Sequence, residues 1–150
     1  MTITVEKGDP RHPEATALLQ ESHALMEALF PPEDNHYLSI DALTTPDIHF
    51  FVARDSAQII GTAALADKGT YGEMKSMFVS EAARGKGAAD ALIKALETQA
   101  HTLNLRAIKL ETGNLLTAAH KLYARHGFQV CDRFGDYPEN DTSLFMSKTL

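Results

Sequence analysis

Apolar positions along this chain repeat with two periods that switch from segment to segment, and the switching predicts an α/β protein. Thr2–Glu6 alternates and is rich in β-formers, which predicts a short first strand. After Gly8-Asp9-Pro10 the period lengthens. Ala15, Leu18, Leu19, Ser22, Leu25, Met26 and Leu29 fall on one face of a helix expected from Pro13 to Phe30 and stopped by Pro31-Pro32. From Pro32 to Leu43 the chain reads as a polar loop or a second short helix. His49–Arg54 and Gln58–Leu65, joined by Asp55-Ser56-Ala57, read as a β-hairpin. Leu105–Leu110 is a later strand, and a helix from about Leu115 to His126 is ended by Gly127. Phe128–Cys131 and Ser143–Lys148 are the closing strands, separated by Phe134-Gly135-Asp136-Tyr137-Pro138.

The rest is organised around Tyr71–Gln99, a strand, a glycine turn and a helix. In Tyr71–Val79, simple alternation puts Glu73, Lys75, Met77 and Val79 on one side and Met74, Ser76 and Phe78 on the other. Gly85 and Gly87 follow, and then Ala89, Leu92, Ile93, Leu96 and Ala100 mark an amphipathic helix. A glycine turn that opens a helix presents unpaired backbone N–H groups and the positive end of the helix dipole, where an anion can sit. Arg84 and Lys86 add positive charge. The plain alternative is a tight turn flanked by solvated cations. Neither GxxxxGK[ST] nor GxGxxG is present, because Asp90 stands where the last glycine of the dinucleotide pattern would be.

Composition narrows the function classes. At 150 residues and 16.4 kDa, the chain is expected to be a single domain, residues 1–150, able to bury its own core. Fourteen Lys plus Arg against twenty Asp plus Glu give a formal charge of −6, and no basic run argues for nucleic acid. One cysteine, Cys131, excludes an intrachain disulfide and fits a reducing compartment. No apolar run approaches the roughly 18 residues of a membrane span, and no basic-then-apolar leader is seen, so a cytoplasmic location is expected. The seven histidines are scattered, and no metal site is expected.

The wording of the turn is more specific. Arg84-x-x-Gly87-x-Ala89 after a strand and before a helix resembles the acyl-coenzyme A pyrophosphate loop of the GNAT N-acetyltransferase superfamily. Leu122-Tyr123-Ala124-Arg125-His126-Gly127-Phe128 resembles that family's LYxxxGF segment. Leu110-Glu111-Thr112-Gly113, Pro31-Pro32-Glu33, Glu73-Met74-Lys75-Ser76-Met77 and the tail from Tyr137 to Met146 resemble an uncharacterised bacterial branch of it. The resemblance covers nearly the whole chain. It implies a mixed central sheet flanked by helices, with two parallel strands, Tyr71–Val79 and Leu105–Leu110, splayed apart to admit the pantetheine arm. Acetyl-coenzyme A would lie against Met77, Phe78 and Val79, with its pyrophosphate on Arg84, Gly85, Lys86, Gly87, Ala88 and Ala89. A backbone N–H near Met77 or Phe78 would polarise the thioester carbonyl.

The same resemblance places a general base at Glu73 and a proton donor to the departing thiolate at Tyr123. A carboxylate in the middle of a central strand is costly unless paired, hydrogen-bonded or functional. Its structural alternative is an ion pair with Lys75 or Lys109. For Tyr123 the alternative is an aromatic wedge between the last helix and the sheet. Asn114 is set against the pantetheine by the family, but two residues from the family's position, and a helix cap at Leu115 is the preferred reading. Glu33, His36 and Glu111 are the remaining candidates for the acceptor site. The implied activity is transfer of an acetyl group to a primary amine of a small molecule; the acidic balance leans toward a small polyamine, an amino-sugar or an amino-acid amine, with peptide amines left open. A non-catalytic acyl-coenzyme A sensor is the rival. A homodimer is expected, with the Phe134–Tyr137 loop and Leu144-Phe145-Met146 as its apolar surface.

Overall fold

A computed structural model describes residues 2–150 of the chain. Strand β1 (Ile3–Lys7) is followed by helix α1 (Pro13–Leu29), whose first turn holds Pro13 and whose amide at Glu14 bonds to His12 Nδ1 at 3.2 Å. The segment after it has no second α-helix, only short 3₁₀ turns at Pro32–Asp34 and Ala42–Thr44. Then come β2 (Ile48–Asp55), β3 (Gln58–Asp67), β4 (Gly72–Val79), α2 (Ala88–Thr102), β5 (Ala107–Gly113), α3 (Thr117–Arg125), β6 (Gln129–Val130) and β7 (Ser143–Thr149). One seven-stranded sheet runs in the order β1-β2-β3-β4-β5-β7-β6. The β4–β5 pair is parallel and every other neighbouring pair antiparallel. This is the mixed sheet flanked by helices that the resemblance implies.

Both sheet faces are covered, as a sheet carrying a helical crossover requires. Leu92, Ile93 and Leu96 of α2 are fully buried against Leu65, Ile108 and Leu110. On the other face Ala15, Leu18 and Leu19 of α1 pack on Phe50, Val52 and Leu43. The apolar stripe expected along all of α1 is core only in its first half. Leu25 and Leu29 remain 36% and 39% exposed.

Simple alternation fails in β4. The pairing with β3 shifts between Thr62 and Ala64, and Ser76 adopts a φ of +55°, so the strand carries a β-bulge. The buried Thr62 holds it by donating Oγ1–H to the Ser76 carbonyl at 2.8 Å. Beyond the bulge the faces exchange. Met77 and Val79 pack with Met74 on the α2 side, and Phe78 joins the α1 core, whereas alternation puts Met77 and Val79 with Glu73.

β5 begins and ends later than expected, at Ala107 and Gly113; Leu105 is still in the turn leaving α2, its N–H bonded to the Ala100 carbonyl, and Arg106 bonds to Thr70 and Leu150 just before the strand. The loop expected to offer apolar surface to a second copy is folded into its own chain. Phe134 is buried, edge-on to Tyr71, Tyr137 and Phe145, and Met146 is buried as well. Gly113 ends β5 against Phe30, where a Cβ would overlap the ring. Gly113→Ala is therefore expected to displace Phe30 and cost about 1–3 kcal/mol of stability. Thermal unfolding checks this, with a Tm several degrees lower expected.

Candidate functional site

β4 and β5 are hydrogen-bonded partners only at Gly72 with Ile108 and Glu73 with Lys109. From Met74 onward the parallel strands diverge, and the β4 edge facing β5 has no ladder partner. Such an edge accepts an extended ligand as an added strand, and the carboxyl ends of open parallel strands are where α/β sheets bind ligands. The bulge at Ser76 and the glycine turn both lie along this fork.

A cleft of about 680 Å³ leads into it. One wall is Met77, Phe78 and Val79 of β4 with Arg84, Gly85, Gly87, Ala88 and Ala89 of the turn and α2. The opposite wall is Leu115, Leu116, Ala119, Leu122 and Tyr123, and Ser22, Leu25 and Met26 of α1 close it. Gly85 and Gly87 have φ of +81° and +88°, and no atom lies within 4 Å of where a Cβ would stand on either. Gly87 is the N-cap of α2, so the unpaired N–H groups of the first turn open onto bare backbone. Arg84 rests on the Phe78 ring, 6.0 Å from its centroid. Asp90, in the same turn, is held by His126 at 2.6 Å and Arg125 at 2.9 Å. The His126 hydrogen bond is the largest cause of its lowered pKa. This clamp between α2 and α3 contributes stability above the usual carboxylate range and loses it as pH falls through the depressed value.

A smaller cavity of about 150 Å³ continues from the cleft. The two share Ser22, Met26, Met77, Leu116, Ala119 and Tyr123. The cavity passes through the fork and ends, on the α1 face, at Asp34, Asn35, His36, Lys75, Glu111 and Thr142. A third cavity, of about 480 Å³, lies beyond His36 and Lys75, which line both, and is bordered by Tyr71, Glu73 and Tyr137.

Between the second and third cavities lies a buried polar network. Glu73 is 6% exposed, and its Oε2 accepts a hydrogen bond from the Tyr137 hydroxyl. Lys75 Nζ donates to Tyr137 Oη at 2.7 Å and to the His36 carbonyl at 3.0 Å, and lies 3.5 Å from Glu73. Burial and the bond to Glu73 push the Tyr137 hydroxyl pKa up, so it remains a donor. Of the pairings expected for Glu73, the one with Lys75 is formed. Lys109 instead sits over the Tyr71 and Phe134 rings, 5.0 and 5.6 Å from their centroids.

Sequence expectation and geometry part at particular residues. Tyr123 is buried, its pKa raised by desolvation, and it lines both the cleft and the small cavity. Glu73 and Tyr123 do not line a common cavity. Lys86 is exposed and outside the cleft lining, unlike its neighbours in the turn. Asn114 is not a helix cap, since the cap position is Leu116 with no side-chain bond; Asn114 Nδ2 donates to the Asp141 carbonyl at 2.9 Å. Glu33 is exposed, and it is Asp34 that reaches the small cavity, held by Thr142 Oγ1 at 2.9 Å. Glu111 also lines it, accepting from Ser143 Oγ at 2.7 Å. Sequence reading missed Tyr137 as the partner of Glu73 and took it as surface. An aromatic residue in a polar, proline-bearing loop was the available signal. Among the described residues no group of three or more His, Cys, Asp or Glu could hold a metal ion, and no helix is long and apolar enough to cross a membrane.

Residues 15–128 match the acetyltransferase (GNAT) family. Over 150 residues the chain is 37% identical to a protein of Azospirillum brasilense named IAA acetyltransferase, covering 99% of this chain and 98% of that one. It superimposes on an acyl-CoA N-acyltransferase structure from Klebsiella pneumoniae with a TM-score of 0.85 and 27% identity, covering 99% and 98% of the two chains. The PaiA N-acetyltransferase of Thermoplasma acidophilum, solved in complex with coenzyme A, has the same fold at 16% identity, with a TM-score of 0.78 and full coverage of both chains.

Proposed function

The chain belongs to the acetyltransferase (GNAT) family, and we propose that it moves an acetyl group from acetyl-coenzyme A to a primary amine of a small molecule by direct attack. The observation that carries this reading is the continuity of the long cleft with a small polar cavity through the β4–β5 fork. The chain's own residues fit the coenzyme. Bare glycine backbone at a helix N-terminus suits a pyrophosphate, an unpaired strand edge suits an extended pantetheine, and the exposed Leu25 and Leu115 supply apolar wall.

Bound coenzyme supplies an acyl carbon activated by a thiolate leaving group. In the transfer the amine nitrogen forms an N–C bond as the C–S bond breaks; the amine loses one proton and the thiolate gains one. The fork and the Asp34–His36 loop hold the reacting groups in line, which is where most of the rate originates in such a two-substrate site. Backbone N–H groups beside the bulge, at Met77 or Phe78, stabilise the developing oxyanion in this reading. Glu73 receives the amine proton through a water or through the Lys75–Tyr137 network, since it borders the neighbouring cavity. Tyr123 faces the sulfur and returns a proton to it.

The test is release of free coenzyme A thiol with a panel of primary amines, together with mass detection of the acetylated product. Acetyl-coenzyme A that binds with no amine accepted would favour a sensor protein. Tyr123→Phe is expected to reduce kcat more than it weakens acetyl-coenzyme A binding, because the hydroxyl matters most when negative charge develops on sulfur. Equal chemistry-limited rates for mutant and parent would leave Tyr123 an aromatic wedge.

Assembly belongs to the same proposal. A two-fold dimer would use the sheet edge at β6, where Val130 is 67% exposed, rather than the buried Phe134 loop. Light scattering should then give twice 16.4 kDa at micromolar concentration. A monomer mass would remove the dimer.

A further inference from the structure

Tyr137 stands between a buried carboxylate and a nearly buried ammonium, with a single hydroxyl proton to give. Its Oη accepts from Lys75 Nζ at 2.7 Å and donates to Glu73 Oε2. An ammonium has only donors and an ionised carboxylate only acceptors, so the chain runs one way, from Lys75 through Tyr137 to Glu73. The hydroxyl keeps its proton because burial and the bond to Glu73 push its pKa up. The ring is fixed before any ligand arrives. His36, Phe134 and Phe145 meet it edge-on, with centroids 5.3, 5.5 and 5.5 Å away, and Arg133 donates to its carbonyl at 3.0 Å. A group locked by its surroundings in this way can hold a neighbour in one geometry.

The neighbouring charges make that hold consequential. Lys109, opposite Glu73 in the β4–β5 register, turns its ammonium onto the Tyr71 and Phe134 rings. Lys68 and Asp47 line the third cavity with Glu73. Asp136 and Glu111 add negative charge around Tyr71 and Tyr137, and the Tyr71 hydroxyl is kept neutral chiefly by burial. Negative neighbours disfavour one more carboxylate charge, whereas a cation or a donated hydrogen bond favours it. For Glu73 the cation is Lys75, 3.5 Å away, and the bonded donor is the Tyr137 hydroxyl. Lys75 also lines the small cavity, so Tyr137 ties the carboxylate to the polar end of that cavity.

Resting on the acetyltransferase reading above, we propose that Tyr137 is a positioning residue for the transfer, its hydroxyl holding the Glu73 carboxylate ionised and in one orientation at the border of the third cavity. A hydrogen bond to a charged group is worth enough that losing it moves a carboxylate's protonation by about one pH unit. The sign follows. Without the hydroxyl the carboxylate takes up its own proton at a higher pH, so activity is lost preferentially on the acid side.

The experiment is Tyr137→Phe, which keeps the ring and removes the hydroxyl alone. For one accepted amine, kcat/KM is measured at saturating acetyl-coenzyme A from about pH 5.5 to 9, in mutant and parent. Taking the mutant-to-parent ratio at each pH cancels the ionisation of the amine itself. That ratio is expected to fall by about five- to tenfold from the alkaline to the acid end. A merely structural loss lowers it by the same factor at every pH, so a flat ratio would overturn the positioning role and leave the acetyltransferase intact. Glu73→Gln supplies the second arm. In that background Tyr137→Phe should change the rate without any pH dependence, because the group it acts on no longer titrates. A pH-dependent effect that persists there would show the hydroxyl acting on another group and sink the proposal. A parent that acetylates no amine at all removes the transferase reading, and the role of Tyr137 with it, before any mutant is compared.

Discussion

Glu73→Gln is expected to lower kcat/KM for an accepted amine by about 10²–10⁴-fold at neutral pH, the usual worth of a placed general base. Glutamine keeps an oxygen that can accept the Tyr137 hydroxyl but cannot take up a proton. Raising the pH should restore part of the rate, because more of the amine then arrives already deprotonated. The profile is measured from about pH 6 to 9.5 at saturating acetyl-coenzyme A, for mutant and parent alike.

The buried network adds a second, separable effect. Lys75 is close to fully buried, and with glutamine at 73 it loses its nearest carboxylate. An unpaired charge in such a setting is destabilising by several kcal/mol when a partner is removed outright, and less when the replacement still hydrogen-bonds. A lowered Tm is therefore expected whether or not Glu73 is the base. Only the pH–rate profile distinguishes the roles. A profile unchanged in shape and height, with the Tm reduced, would make Glu73 the holder of Lys75 and Tyr137 and move proton removal to Glu111, His36 or water.

Much of the fold was legible because its signals are local. Leu92, Ile93 and Leu96 announce α2 by their spacing, and Pro31-Pro32 ends α1 by removing backbone donors. The glycine turn was legible for the same reason, since φ of +81° and +88° are conformations that glycine adopts without strain. What escaped depends on partners distant in sequence. The bulge at Ser76 is held by Thr62 on another strand, and no pattern within Tyr71–Val79 encodes it. Yet it decides which of Met77 and Phe78 faces which core. Tyr137 meets Glu73 across a separation of 64 residues, so a loop that looks like exposed apolar surface is in fact the lid of the buried carboxylate. Leu25 and Met26 repeat in phase with Leu18 and Leu19, and periodicity alone does not distinguish a wall of the core from a wall of the cleft.

Gly87→Glu is expected to reduce acetyl-coenzyme A affinity by about 10³-fold or more. Gly87 caps α2 in the left-handed region, lines the cleft, and has open space where a side chain would project. A carboxylate there would meet a pyrophosphate held by the turn at short range. A like-charge pair roughly 4 Å apart is worth about 4 kcal/mol at an effective dielectric near 20, and each 1.4 kcal/mol is a factor of ten in affinity. Backbone strain is the competing cause, since a non-glycine residue at a φ of +88° costs about 1–2 kcal/mol wherever the side chain points. Gly87→Ala supplies the control, because it carries the strain without the charge. It should lower the Tm by an amount similar to Gly87→Glu while weakening coenzyme binding far less. Calorimetry on both variants, at low and high salt, makes the comparison. The Gly87→Glu deficit should shrink as salt rises, which strain would not do. If Gly87→Glu binds acetyl-coenzyme A as tightly as the parent does, the anion is not held at the start of α2, and the cleft along β4 must be assigned to another ligand.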